Sequence, residues 1–242
     1  MSGLVGWMDR TLYPEFGRNW DDELFRKYIL RHLSRESRLL DLGAGRGNVA
    51  QMNFRTEVAH VAGVDVDPAV LNNPFLDSAA VIRMNEGRIP YDDDEFDVVF
   101  SDNVLEHLPD PLATFREVGR VLKPGGVFLA KTPNKWHYMP LVARATPLWF
   151  HRFYNLMRGR NESDTFPTLY RCNTRGDVMK VADAAGMSVE DVVFIEGRPE
   201  YLRIVAPTYF LGWLYERVVN CSARLAPMHS VMQVTLRVRS PI

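Results

Sequence analysis

The run Leu39-Leu40-Asp41-Leu42-Gly43-Ala44-Gly45-Arg46-Gly47-Asn48 constrains the fold more than any other stretch. An apolar segment ends in an acid, and three glycines then alternate with other residues. The pattern reads as a strand entering a tight turn that opens a helix. Glycine suits such a turn because it accepts positive φ and lets backbone N–H groups come close to a ligand. The spacing predicts a helix from about Asn48, with its first N–H groups facing something polar or anionic. A second apolar strand, Val58–Val64, leads into Asp65, 22 residues after Gly43. An acid at that distance suits the tip of the next strand, where it can accept hydrogen bonds from ribose hydroxyls. A glycine turn also occurs with no ligand. The loop, the distant acid and the β-α-β pattern together favour a nucleotide-type site.

Further strands follow in order. Arg38–Leu42 is the first. Asp67 and Pro68 open a turn of helix after the second. Ala79–Met84 is a short third strand. Phe96–Asp102 is the fourth, nearly all apolar as a parallel strand covered on both faces should be. Asn103-Val104-Leu105-Glu106-His107-Leu108 follows it. Asp110-Pro111 then caps a helix whose buried face is Leu112, Phe115, Val118 and Leu122. Lys123-Pro124-Gly125-Gly126 turns into a fifth strand, Val127–Lys131. Thr174 opens a helix over Asp177–Ala185, Gly186 stops it, and Val189–Glu196 is a sixth strand. Val231–Val238 alternates with the period of a half-exposed final strand.

Several of these runs resemble the motifs of class I S-adenosylmethionine-dependent methyltransferases. Asp41-x-Gly43-x-Gly45-x-Gly47 resembles the first motif and Val61-Ala62-Gly63-Val64-Asp65-Val66-Asp67 the second. The Phe-Asp-Val-Val strand, the Leu-Glu-His-Leu loop and the Leu-Lys-Pro-Gly-Gly turn match as well, so the likeness covers residues 38–134. Gly-x-Gly-x-Gly differs from the Gly-x-Gly-x-x-Gly of nicotinamide-binding folds. The resemblance implies an α/β, Rossmann-like, doubly wound sheet of seven mostly parallel strands in the order 3-2-1-4-5-7-6, with the last strand antiparallel and helices on both faces. It implies S-adenosyl-L-methionine as cofactor. Gly43, Gly45 and Gly47 would let the backbone pass the methionine part, and Asp41 would support its amino group. Asp65 would take the ribose hydroxyls, Val66 would pack on the adenine, and Asn85 and Glu86 would meet the adenine edge. Asn85 stands where the family usually has Asp. Ser101 and Asn103 would face the methyl donor from the tip of strand four.

Methyl transfer from a sulfonium is an in-line displacement, so the protein must align the partners, exclude water and deprotonate a hydroxyl acceptor. His107 is the first choice as base, with His137, Tyr138 and Glu106 as rivals; His107 equally suits a plain helix-end imidazole. The acceptor expectation is a small or medium-sized molecule for O-methylation: a sugar, a glycan intermediate or a lipid-linked precursor. Arg152, Arg158, Arg160, Arg171 and Arg175 suit phosphate or carboxylate, or form a solvated face. The competing readings are an NAD-dependent oxidoreductase on a related fold and a non-catalytic cofactor-binding scaffold.

The chain of 242 residues reads as a single methyltransferase domain, 1–242, carrying three additions. Residues 1–37 are an N-terminal helical lid in which Leu24, Phe25, Tyr28, Ile29 and Leu33 share a face, with Asp21 or Asp22 as cap and Tyr13 and Trp20 as pocket candidates. Residues 132–172 are a substrate-side insertion, and 197–228 an apolar helical insertion. Within the last, 201–220 reads as a buried helix, a homodimer contact or a surface for peripheral membrane contact. Formal net charge is −1, which gives no basic field for nucleic acid. The two cysteines, Cys172 and Cys221, make no metal motif and read as reduced thiols of a cytoplasmic protein. The first residues lack the pattern of a secretory signal, and no apolar run reaches the ~18 residues of a membrane span.

Overall fold

The computed structural model describes residues 3–17, 19–83, 88–145 and 167–239. Its backbone centre is one seven-stranded sheet in the order β3-β2-β1-β4-β5-β7-β6. The strands are β1 (Arg38–Leu42), β2 (His60–Asp65), β3 (Ser78–Val81), β4 (Phe96–Asp102), β5 (Leu122–Pro133), β6 (Met187–Ile195) and β7 (Val231–Val238). The four pairings among β1 to β5 are parallel. Ser188 bonds to the carbonyl of Arg237 while Ser230 bonds to that of Ile195, so β6 and β7 run in opposite directions. Arg237 likewise meets Gly125 while Asn134 N–H meets Ser230, which sets β7 against β5. The sheet is mixed, with the expected strand order and the expected reversed last strand.

Two compact units divide the chain. The larger holds the described residues within 22–133, 168–193 and 232–242. Register puts Leu39, Val61, Val98 and Val127 on one face of the sheet, where Phe25 and Ile29 of α2 (Trp20–Leu30) join Phe54 and Phe100 in one core. The opposite face carries Leu40, Val99 and Phe128. There Phe115 of α3 (Pro111–Val121) meets Phe128 edge-to-face at 5.4 Å. Burying these side chains on both faces is worth roughly 1.5–3 kcal/mol each, which explains the unbroken apolar run of β4. Asp110 caps α3 at Ala113 N–H, and Thr174 caps α5 (Arg175–Ala184) at Asp177 N–H. Gly186, at φ +77°, ends α5 as expected.

One expectation in this unit fails. No α-helix follows the glycines; there is a single short turn, Ala50–Met52. The carbonyls of Gln51 and Asn53, which a longer helix would use internally, accept instead from the Arg26 guanidinium at 2.8 and 2.6 Å. That guanidinium lies 4.6 Å over the Phe54 ring. Asp21 and Asp22 also fall inside the first turn of α2 rather than at its cap.

The smaller unit gathers the described residues within 1–21, 134–167 and 194–231. It contains α1 (Leu4–Leu12), α4 (Tyr138–Ala145) and α6 (Ala206–Asn220). Its core is Met8, Tyr13 and Tyr209, with Trp213 and Phe16 packed alongside. Asp9 accepts from Tyr209 and Arg203, and Glu216 accepts from Tyr13 at 2.8 Å. Tyr13 and Trp20, expected near a pocket, are buried here instead, Trp20 against the bare Cα of Gly197. α6 buries Tyr209, Gly212, Glu216 and Val219 and exposes Phe210, Leu211, Leu214 and Val218. Gly212 is required there because a Cβ would sit 2.5 Å from Pro199. Among the described residues no helix is long and apolar enough to cross a membrane.

Candidate active site

The glycine turn forms the floor of a crevice of about 290 Å³ at the carboxyl ends of β1 and β4. Asp22, Asp41, Gly43, Gly45, Arg46, Gly47, Asn73, Asp102 and Asn103 are among its lining residues. Gly43 has φ +86°, and a Cβ on it would come within 2.3 Å of Val104 Cγ2. Gly47 has φ +72°, and a Cβ there would meet Asn73 Oδ1 at 2.4 Å. Two of the three glycines are therefore fixed by close approach as well as by backbone conformation.

Side chains hold the turn in shape. Asp65, at the end of β2, accepts from Gly45 N–H at 2.8 Å with one oxygen and from Asp67 N–H at 2.8 Å with the other. Asn73 donates to the carbonyls of Ala44 and Gly45 and accepts from Phe75 N–H. The Arg46 guanidinium pairs with Asp67 at 3.0 Å.

The electrostatics are acidic. Asp41 is 6% exposed, and its carboxylate has no hydrogen-bond partner among the described residues. Burial, then the neighbouring charges of Asp102 and Asp65, push its carboxyl well above the ordinary range. Asp22 and Asp102 flank a fully buried Lys131 Nζ, which is bonded to Asp22 and 3.0 Å from Asp102.

The sequence-predicted residues separate into groups. Asp41, Gly43, Gly45, Gly47 and Asn103 meet in the crevice. Asp65 touches the turn through Gly45, and Val66 is half-buried beside it. Asn85 and Glu86 lie outside the described residues, as do Arg152, Arg158 and Arg160. Ser101 is fully buried, its hydroxyl without a partner among the described residues; strand alternation puts it on the Val99 face, away from the crevice lining. His107 ends a short helical turn, Leu105–His107, and its side chain is 22% exposed. Beside it, Glu106 is buried, accepts from Thr132 at 2.9 Å and has its carboxyl raised, chiefly by burial.

His137 and Tyr138 belong to the smaller unit. His137 is 2% exposed, with its Nδ1 accepting from Met139 N–H at 3.4 Å and its Nε2 3.8 Å from Glu196. Tyr138, Tyr201 and Tyr215 surround its ring.

Asn73, Asp22, Asp102 and Lys131 were missed by sequence reasoning. A lysine inside an otherwise apolar strand was the available signal, since a buried cation demands a counter-charge. Among the described residues no three His, Cys, Asp or Glu side chains are placed to hold a metal.

An open α/β sheet with a glycine-floored, acidic crevice at its strand ends is the arrangement in which doubly wound folds bind nucleoside cofactors. Residues 40–130 match the methyltransferase domain family. An uncharacterized methyltransferase of Mycobacterium leprae (strain TN) is 37% identical over 165 residues, 62% of this chain and 59% of that protein. The ubiquinone biosynthesis O-methyltransferase of Neisseria meningitidis serogroup C is 34% identical over 130 residues, 49% of this chain and 54% of that protein. The crystal structure of the [4+2]-cyclase SpnF aligns with a TM-score of 0.59 at 18% identity, covering 94% of this chain and 85% of that one, a likeness of fold alone. The chain spans 42% to 66% of the length of the first curated relatives it matches.

Over residues 40–130 the chain is similar to methyltransferase domains. A relative in Mycolicibacterium smegmatis, 36% identical over 115 residues, 46% of this chain and 42% of that protein, is named a probable S-adenosylmethionine-dependent methyltransferase, which makes S-adenosylmethionine the cofactor to fit against the crevice. The residues present fit that group. Its methionine ammonium and sulfonium are cations, and the crevice offers an unpartnered buried carboxylate at Asp41 beside Asp22 and Asp102. The bare glycine backbone leaves room for close approach.

Proposed function

We propose that the protein transfers the methyl group of S-adenosylmethionine to an oxygen of a small or medium-sized acceptor, such as a sugar, a glycan intermediate or a lipid-linked precursor. The glycine-floored crevice with its unpartnered Asp41 carries this reading. Asp41 holds the amino group, the Gly43–Gly47 backbone takes the methionine part, and Asp65 takes the ribose hydroxyls with its remaining lone pairs. Val66 packs on the adenine, and Asn85 and Glu86 meet its edge. Asn103 lines the donor end, with Ser101 behind it. The cofactor supplies an electrophilic methyl carbon. His107 would take the proton of the acceptor hydroxyl onto its ring as the methyl group is transferred.

His107 is favoured as base because its ring is partly exposed at the carboxyl end of β4. His137 is the weaker choice: its Nδ1 already accepts from Met139 N–H and its Nε2 faces Glu196. Tyr138, next to it, is the other alternative. The exposed stripe Phe210, Leu211, Leu214 and Val218 supports a peripheral membrane contact or a homodimer through 201–220 in a cytoplasmic setting.

The first test is thermal stabilisation by S-adenosylmethionine, S-adenosylhomocysteine and NAD. Stabilisation by the first two alone is expected; stabilisation by NAD alone moves the assignment to an oxidoreductase. Labelled methyl donor with fractionated cell extract, followed by mass identification, then finds the acceptor. Label confined to nucleic acid or protein refutes the small-acceptor reading, and binding without turnover on any fraction supports a scaffold.

A further inference from the structure

Asn73 follows the short helical turn Pro68–Asn72, 29 residues after Ala44, and its side chain reaches back to the glycine turn. Its Nδ2 donates to the Ala44 carbonyl at 2.9 Å and to the Gly45 carbonyl at 3.3 Å, while its Oδ1 accepts from Phe75 N–H at 2.9 Å. The residue is 7% exposed and lines the crevice. The peptide that joins Ala44 to Gly45 is therefore held at both ends, its carbonyl by Asn73 and its N–H by Asp65 at 2.8 Å. Carbonyl and N–H point opposite ways across a trans peptide, so the two side chains grip that plane from opposite sides. The next peptide is held in the same sense: its carbonyl is drawn to Asn73, and the Arg46 N–H points away from it. Gly45, at φ +53°, has no intrinsic preference that would fix these planes. The bare Cα of Gly47 lies against the same carboxamide, where a Cβ would come within 2.4 Å of Asn73 Oδ1.

We propose that Asn73 is a positioning residue for the cofactor: its carboxamide locks the glycine turn in the shape that takes the methionine part. The inference rests on the cofactor reading above. Glycines allow close approach, but they also leave the turn free to move, and that freedom is lost on binding. Asn73 removes it beforehand. It also draws onto its own donors two carbonyl oxygens that would repel the carboxylate of the methionine part. A carboxamide is needed for this. Asp at the same position keeps an acceptor for Phe75 N–H but sets a carboxylate against two carbonyls, and Leu offers neither donor nor acceptor.

Calorimetric titration of the purified full chain with S-adenosylhomocysteine and with adenosine, which lacks the methionine part, tests this without any assay of activity. Asn73→Asp is expected to weaken S-adenosylhomocysteine by about 10-fold or more, the worth of the lost hydrogen bonds, and to change adenosine by less than about threefold. Asn73→Leu is expected to act in the same direction. S-adenosylhomocysteine affinity within about twofold of wild type in both variants overturns the proposal. Equal loss of both ligands also overturns it, since that is what a merely structural role gives. If the variants do not fold, amide hydrogen exchange of the wild type decides. A ligand that needs the locked turn must in return stabilise it, so saturating S-adenosylhomocysteine should slow exchange at Phe75 N–H. Unchanged exchange there overturns the proposal. Wild type that binds neither S-adenosylmethionine nor S-adenosylhomocysteine refutes the cofactor reading, and this inference falls with it; wild-type binding that both variants share refutes this inference alone.

Discussion

Raising the pH from 6.5 to 8 should remove about 2 kcal/mol of stability from the unit built from 1–21, 134–167 and 194–231. Two buried groups cause this, His137 and Glu196, 3.8 Å apart. Burial, then the charge of His229, pushes the His137 imidazole down to about 3. Burial pushes the Glu196 carboxyl up to about 8, with Glu216 helping and the 2.7 Å bond from Ser230 N–H opposing. In the folded protein the pair therefore keeps one proton from about pH 3 to about pH 8. In the unfolded chain the ordinary values, 4.5 and 6.5, leave it one proton only between those two points. From 4.5 to 6.5 both states hold one proton and stability is flat. From 6.5 to about 8 the folded state alone retains it, so stability falls as pH rises. From 4.5 to about 3 the unfolded state binds a second proton, so stability falls as pH drops. Each limb covers about 1.5 pH units, worth about 2 kcal/mol at roughly 1.4 kcal/mol per unit.

Urea unfolding followed by tryptophan fluorescence reads this directly, because Trp7, Trp20, Trp136, Trp149 and Trp213 all belong to those segments. Glu196→Gln keeps an acceptor for Ser230 N–H but cannot titrate. It should abolish the alkaline limb and extend the acid limb up to about 6.5, where His137 alone controls the proton count. An alkaline limb of unchanged size in Glu196→Gln, or a flat wild-type profile from 6.5 to 8, refutes the reasoning.

Three further outcomes are expected. Gly43→Ala forces a side chain onto a φ of +86° and against Val104, so urea unfolding should show about 2–4 kcal/mol of destabilisation and titration a loss of S-adenosylmethionine binding; a native melting curve would contradict the contact. Asp65→Asn loses a charged acceptor for Gly45 and Asp67 N–H and should weaken cofactor binding by roughly 10- to 100-fold, measured by calorimetry. His107→Ala should lower turnover by about 10²–10⁴ while cofactor affinity stays near wild type; unchanged turnover removes His107 from the mechanism.

Much of this molecule is written in local pattern. The apolar run of Phe96–Asp102, the Asp110-Pro111 cap and the alternation of Val231–Val238 each fix an element by the period or the capping chemistry of its own residues. The glycine turn and the acid at the next strand tip were likewise legible, because only a bare backbone turns so tightly, but the bond from Gly45 N–H to Asp65 that ties them was not, since the sequence assigned that carboxylate to ribose hydroxyls. Tertiary structure decided the rest. The helix expected after Asn48 gave way because Arg26, some 25 residues earlier, takes the carbonyls it would have needed. The residues within 1–21, 134–167 and 194–231 came together as one unit, which no local period can signal. Lys131 meets Asp22 across 109 residues of chain. Propensity and hydrophobic period act over a few residues, whereas counter-charges and buried carbonyls are satisfied by whatever the fold brings alongside, so the sequence determined the scaffold and its turn, and only the folded chain decided the electrostatics of the site.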